Sequence, residues 1–301
     1  STEGGGVYVK GSQVVATSMN MTVEADVTLT MNSATKGGAL FATQGASVQL
    51  TDHVALEHNV GMFGGGLYVS FVAEVTADGH TRLKFNSATS SGGAAYFMEK
   101  GKLTMSSGSI SNNEAVATGG AFSLSILGLL SLPGSGAPAL VTANNTAGQS
   151  GGVIAILDSS AEVLAWHGVD VVANSAQRGG VGYLSGGSVF ATNSTVFTAN
   201  SATFGGAFFI DANAKYTSVG DVATGHRTLT DGAFLFAGLM AYVNIFGGHF
   251  ENNAAGASGG VLFVESVSLA RVVDCMFIRN TAVDEGAAMY IASSRSTNVS
   301  Q

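Results

Sequence analysis

Residues 197–210 read FTANSATFGGAFFI: an aromatic residue, an asparagine three places on, a small residue, a glycine pair and an apolar run. The phrase returns as FNSATSSGGAAYF at 85–97 and FENNAAGASGGVLFV at 250–264, and the chain opens with its second half, STEGGGVYVK. Taking the second glycine of each pair as the mark gives Gly6, Gly38, Gly66, Gly93, Gly120, Gly152, Gly180, Gly206, Gly232, Gly260 and Gly286. Successive marks lie 26 to 32 residues apart over all 301 residues, so one repeat array fills the chain.

An asparagine stands six or seven residues before most marks: Asn32, Asn59, Asn86, Asn113, Asn145, Asn174, Asn200, Asn253 and Asn280. His226 takes that place in the repeat ending at Gly232. Three residues before the asparagine there is usually a large apolar side chain, such as Leu56, Leu83, Phe197 or Phe250.

The apolar runs hold four or five residues, rich in β-branched and aromatic types and bounded by Gly, Asn and Ser, which is the pattern of short strands. Helical spacing of apolar residues is broken everywhere by the glycine pairs, and a propeller blade needs a longer repeat. The expected fold is all-β: a single parallel β-helix of about eleven coils, each with about three short strands. Stacked coils lie about 4.8 Å apart, which makes a rod roughly 50 Å long. Equivalent residues then stack, and an inward asparagine in each coil becomes a ladder of amides bonded along the axis; one buried amide alone would be costly. The glycine pair marks a tight corner needing positive φ or close backbone approach. Its first position is Asp231 and Glu285 in two repeats while its second never varies, which makes the second position the expected sterically intolerant one. Residues 122–141 form a longer coil, with PGSGAP (133–138) as a loop pushed outwards.

Composition agrees. Charged residues are 11% and apolar ones 46%, enough to bury a core. The net charge of −8 argues against a nucleic-acid groove. No apolar stretch is long enough to span a membrane as a helix. Cys275 is the sole cysteine, so an internal disulfide is excluded, and with Trp166 it is expected in the core. With a glycine corner at residue 1 and SSRSTNVSQ at the end, neither terminus reads as a cap, which suggests a segment of a longer rod.

The motifs FTAN, FENN and FIRN, paired with GGAL and GGAF, resemble the FxxN and GGA[ILV] repeats of the polymorphic outer-membrane proteins of chlamydiae, and similar repeats in surface proteins of algae and protists. The resemblance spans nearly the whole chain in short, degenerate motifs, without the C-terminal barrel of the chlamydial proteins. It implies a right-handed β-helix exposed at a cell surface, acting as an adhesin or scaffold.

Chemical motifs are sparse. GQSGG (148–152) and GASGG (256–260) satisfy G-x-S-x-G, but they fall at the glycine corner and lack the strand-to-helix turn of a nucleophile elbow. No phosphate loop or calcium nonapeptide occurs, and TLT at 28–30 and 228–230 reads as ordinary strand threonine. His53 and His80 share a register in neighbouring coils, with Asp52 and Asp78 close by and His167 further along. Stacked on one face, these side chains suit metal binding or acid–base work on a glycan, though solvated turn residues are the simpler reading. Sequons occur at Asn20, Asn144, Asn193 and Asn298, marking outward faces in a secreted protein.

The expectation is an extracellular, non-catalytic rod without cofactor or metal, serving adhesion or assembly with other subunits, cell-surface ligands or glycans. The competing readings are a carbohydrate-active β-helix enzyme and a glycan-binding module.

Overall fold

The computed structural model describes residues 2–11, 20–23, 26–51, 53–77, 80–133, 139–158, 161–265 and 268–292. One coil shows the construction of all. After the Gly205–Gly206 corner come four strands, Phe208–Ile210, Lys215–Val219, Val222–Thr224 and Arg227–Thr228. Each pairs in parallel with its counterpart in the next coil: Phe208 with Leu235, Tyr216 with Val243, Ala223 with Phe250 and Thr228 with Ala255. Along the chain this gives four parallel sheets, one of eleven strands and three of ten. The chain is an all-β parallel solenoid.

A coil therefore has four strands, where the sequence led us to expect about three. The extra one follows the asparagine. It is as short as Arg227–Thr228 or Ala254–Ala255 and carries small or polar residues, so it looks like a spacer in the sequence. Its backbone is nonetheless a full ladder member, as in Ser201 and Ala202 against Arg227 and Thr228.

The corners are left-handed, and only one of them is reserved for glycine. Positive φ occurs at Ala212 and Asn213 after the first strand, at Ser194 or Gly220 before the third, and at Ala199 or Gly225 before the ladder residue. In the last of these places Met31, His58, Phe85 and Arg279 also adopt φ between 50° and 57°. Such a conformation costs a non-glycine residue roughly 1–2 kcal/mol, which the hydrogen bonds of the asparagine that follows offset.

The glycine corner corrects the register read from the sequence. Hydrogen bonding aligns Gly205 with Gly232 and Gly206 with Ala233, because Gly206 N–H donates to the Gly232 carbonyl. The marks at Gly6, Gly66, Gly232 and Gly286 are thus out of register: Gly4, Gly64, Gly232 and Gly286 belong with Gly37, Gly92, Gly119, Gly151, Gly179, Gly205 and Gly259, all at φ between 53° and 73°. The first position is always glycine and the second admits Ala233 and Ala287, the reverse of the expectation. A Cβ on Gly205 would lie 2.1 Å from the Phe208 carbonyl oxygen, on a backbone that L-residues already disfavour.

Side chains alternate across each strand. In Lys215–Val219, Tyr216 and Ser218 are fully buried while Lys215 and Val219 face out. The apolar residues ahead of the interior asparagines, Leu56, Leu83, Ile110, Val171, Phe197 and Phe250, point inward and are sealed from solvent, while Leu29 and Phe277 nearer the ends are partly buried. Rings fill the middle of the tube, with Phe208 and Tyr216 centroids 4.5 Å apart and Trp166 edge-on to Phe190 at 4.9 Å. Trp166 is fully buried; Cys275 is half-buried against the core and donates to the Val273 carbonyl at 3.2 Å. Residues 134–138 of the expected loop lie outside the described residues, but Leu129–Pro133 and Leu140–Ala143 on either side remain in their sheets.

Candidate functional site

The ladder asparagines sit at one inner corner, and one rung defines the geometry. Asn113 Oδ1 accepts Asn86 N–H at 3.0 Å and Asn86 Nδ2 at 3.1 Å. Asn113 Nδ2 in turn donates to the Leu83 carbonyl at 2.8 Å and to Asn145 Oδ1 at 2.9 Å. Both amide protons and the oxygen are used, so a fully buried amide stands satisfied. The side-chain bond recurs from Asn32 to Asn59, Asn59 to Asn86, Asn145 to Asn174, Asn174 to Asn200 and Asn253 to Asn280, each at 2.9–3.0 Å.

His226 interrupts the run. Its Nδ1 accepts Asn200 N–H at 3.2 Å and its own N–H donates to Asn253 Oδ1 at 3.0 Å. The shorter of the two Nδ1 contacts, 3.2 Å to the Asn200 N–H against 3.4 Å to the Asn200 carbonyl, favours the tautomer with its proton on Nε2, which makes no hydrogen bond among the described residues. Burial lowers the ring's pKa to about 4, against the smaller opposing pull of the Asn200 and Phe197 backbone groups. At the other end of the Val222–Thr224 strand lies a second polar knot. Asp221, fully buried, accepts Thr195 N–H at 2.8 Å, Ser218 Oγ at 2.6 Å and the Thr192 hydroxyl, which also meets Tyr216 Oη at 2.8 Å. Burial raises the Asp221 carboxyl, and these hydrogen bonds work against that rise. Both features are sealed from solvent and hold the tube together; a reacting substrate has no access to them.

On the outside, the structure brings His53 and His80 together, ring centroids 4.8 Å apart on exposed turns. Asp52 and Asp78 lie outside the described residues, and His167 is exposed elsewhere, in register with Asn193. Among the described residues no three His, Cys, Asp or Glu side chains gather as metal ligands. The two G-x-S-x-G serines, Ser150 and Ser258, are buried at the glycine corner; Ser258 N–H donates to Asp231 Oδ1 at 2.8 Å. Thr28 and Thr30 face Ala55 and Glu57 in the next coil, so no threonine column forms there. Asn144 and Asn193 are exposed, Asn144 turned away from its ladder neighbour Asn145; the side chains of Asn20 and Asn298 lie outside the described residues.

The outer face of the eleven-stranded sheet carries a column that sequence reasoning did not single out. The central residues of its strands stack as Tyr8, Phe41, Tyr68 and Tyr96, then, after Ser123 and Ala155, as Tyr183, Phe209, Phe236, Phe263 and Tyr290. Phe209 and Phe236 are parallel within 5° at 4.8 Å, one coil rise apart, and both are more than nine-tenths buried. Beside them opens a cleft of about 440 Å³. Its one wall is formed by Asp211, Gly238 and Glu265, the residues that end three successive apolar runs, and Arg178, Gln177 and Phe204 line the rest. Aligning the runs AFFI, FLFA and VLFV by their last residue would have exposed this column in the sequence. A second, larger cleft of about 560 Å³ lies over the small residues of the post-asparagine strands, around Ser201, Ala202, Arg227 and Leu229.

No family model, no curated protein and no solved structure matches this chain. Among the described residues, no helix is long and apolar enough to cross a membrane.

Proposed function

We propose that this solenoid is a non-catalytic rod at a cell surface, serving adhesion or the assembly of a surface layer. The observation that carries the reading is the run of four parallel sheets along the described chain. Each coil is tied to its neighbours by strand pairing and, at one corner, by the amide ladder, so the tube resists bending and pulling along its length. Outward positions recur at the coil rise of about 4.8 Å, which suits repeated weak contacts with an extended partner. The likeness of the FxxN and GGA phrases to chlamydial and algal surface repeats supports the same reading, and exposed Asn144 and Asn193 suit a secreted, glycan-bearing chain. The resemblance to polymorphic outer-membrane proteins is one of repeat phrases.

The second reading, a carbohydrate-active or glycan-binding β-helix, is favoured by one observation: the cleft whose wall holds Asp211 and Glu265. Adhesion is tested by coating beads with the purified chain and measuring their retention under flow on films of cell-wall polysaccharide and on cell monolayers. Retention above that of albumin-coated beads is the expected result; equal retention on every surface would remove adhesion from the proposal.

A further inference from the structure

The cleft beside Phe209 and Phe236 has the chemistry of a small ligand site. Asp211, Gly238 and Glu265 occupy equivalent places in consecutive coils, since each N–H donates to the preceding coil's strand end, Asp211 to the Leu184 carbonyl, Gly238 to Ile210 and Glu265 to Ala237. Their backbones thus stand two coil rises apart, about 10 Å, and Gly238 between them makes room for the Asp211 carboxylate, whose Oδ1 lies 3.1 Å from where a Cβ on Gly238 would stand. Neither has an ion-pair partner among the described residues. Asp211 Oδ1 accepts the Ala212 N–H at 2.8 Å, which holds its carboxylate in place and leaves Oδ2 for a ligand. Burial raises the Glu265 carboxyl, and the neighbouring Asp211 charge adds to it. Across the cleft the Arg178 guanidinium is carried on the Phe209 ring at 5.9 Å, a planar donor fork held without a carboxylate to neutralise it.

This arrangement favours one class of ligand. A lone cation would be opposed by Arg178, and an anionic polymer by two carboxylates. A purely apolar guest would leave all three charged groups unpaired. Vicinal hydroxyls satisfy carboxylate acceptors and guanidinium donors together, and the C–H face of a sugar ring can lie on the apolar floor edges. The rise of one coil is also close to the length of one pyranose residue in an extended chain, so successive sugars can meet successive coils.

We propose that the Asp211–Gly238–Glu265 cleft binds a short stretch of a neutral, extended polysaccharide. The proposal rests on the adhesive reading and names its ligand class.

The test is affinity electrophoresis of the full chain in native gels cast with hydroxyethyl cellulose, galactomannan, xylan or polygalacturonate, beside the Asp211→Asn/Glu265→Gln double variant and Gly238→Leu. The expected result is retardation in at least one neutral gel, reduced at least about tenfold in apparent affinity by either variant, with unchanged circular dichroism. Should Gly238→Leu fail to fold, the near-isosteric double variant decides. Free migration in all neutral gels, retardation only in polygalacturonate, or undiminished retardation of the double variant would each overturn the proposal. Bead retention separates the two levels: double-variant beads that adhere as well as the wild type remove only the cleft, whereas wild-type beads that fail to adhere remove the adhesive reading.

Discussion

His226 Nδ1 accepts the backbone N–H of Asn200 at 3.2 Å, in the place where the other rungs of the ladder offer an asparagine Oδ1. The substitution keeps one hydrogen bond and loses the amide-to-amide bond beside it. It also makes the ladder titratable, because a protonated ring would set an N–H against an N–H.

The sign of the pH effect follows. In the unfolded chain this imidazole takes a proton near its usual 6.5, while the buried ring resists until about 4. Stability falls as pH drops through that window and levels off below it, by on the order of 3 kcal/mol in all. Asp221 acts in the opposite direction: its raised folded pKa means that protonation relieves a burial cost as pH falls. Comparing His226→Asn with wild type cancels the Asp221 contribution. Urea titrations at pH 7.5 and 4.5 are expected to show the variant ahead by about 1 kcal/mol at the higher pH, and by clearly more at the lower. An equal difference at both values would mean that the ring does not titrate with folding.

Interior rungs of the ladder carry more stability than terminal ones. Asn113→Ala leaves the Asn86 N–H and Nδ2, the Leu83 carbonyl and Asn145 Oδ1 short of partners in a sealed corner. A loss of about 3–5 kcal/mol is expected by denaturant unfolding. Asn280→Ala, at a half-exposed rung, removes bonds that water can replace and is expected to cost about 1 kcal/mol.

The two glycines of one corner are unequal. Gly205→Ala places a Cβ on a φ of +61° and against a carbonyl in its own turn. Gly206→Ala meets the Ala233 carbonyl of the next coil, but two coils already hold alanine at that place, at Ala233 and Ala287. Thermal melts are expected to rank Gly205→Ala as the more destabilised by about 1–2 kcal/mol. The reverse order would restore the register read from the sequence.

Much of the solenoid was legible because stacking forces equivalent residues to repeat. The Asn200 and Phe197 columns each face one inner environment, so their spacing survives in the sequence. Residues such as Met31, Phe85 and Arg279 hide the corner before the asparagine, since a left-handed turn braced by the next residue's hydrogen bonds accepts almost any side chain. The four-strand coil was missed for the same reason: Arg227–Thr228 is defined by backbone pairing alone. Glycine register was misread where Ala233 and Ala287 stand in for the second glycine, and Asp231 and Glu285 precede the first. The Asp211–Glu265 wall was invisible for a different reason. Outer positions are free to vary, so two carboxylates brought into one cleft leave no periodic trace.

The most direct test of the central claim, a rod that holds partners and does not transform them, is a product assay. The purified chain is incubated with neutral and acidic polysaccharides between pH 5 and 8, and oligosaccharide release is followed by mass spectrometry. The account predicts polysaccharides of unchanged length under every condition. Release of oligosaccharides that disappears in Asp211→Asn or in His53→Ala would contradict it and establish an enzyme.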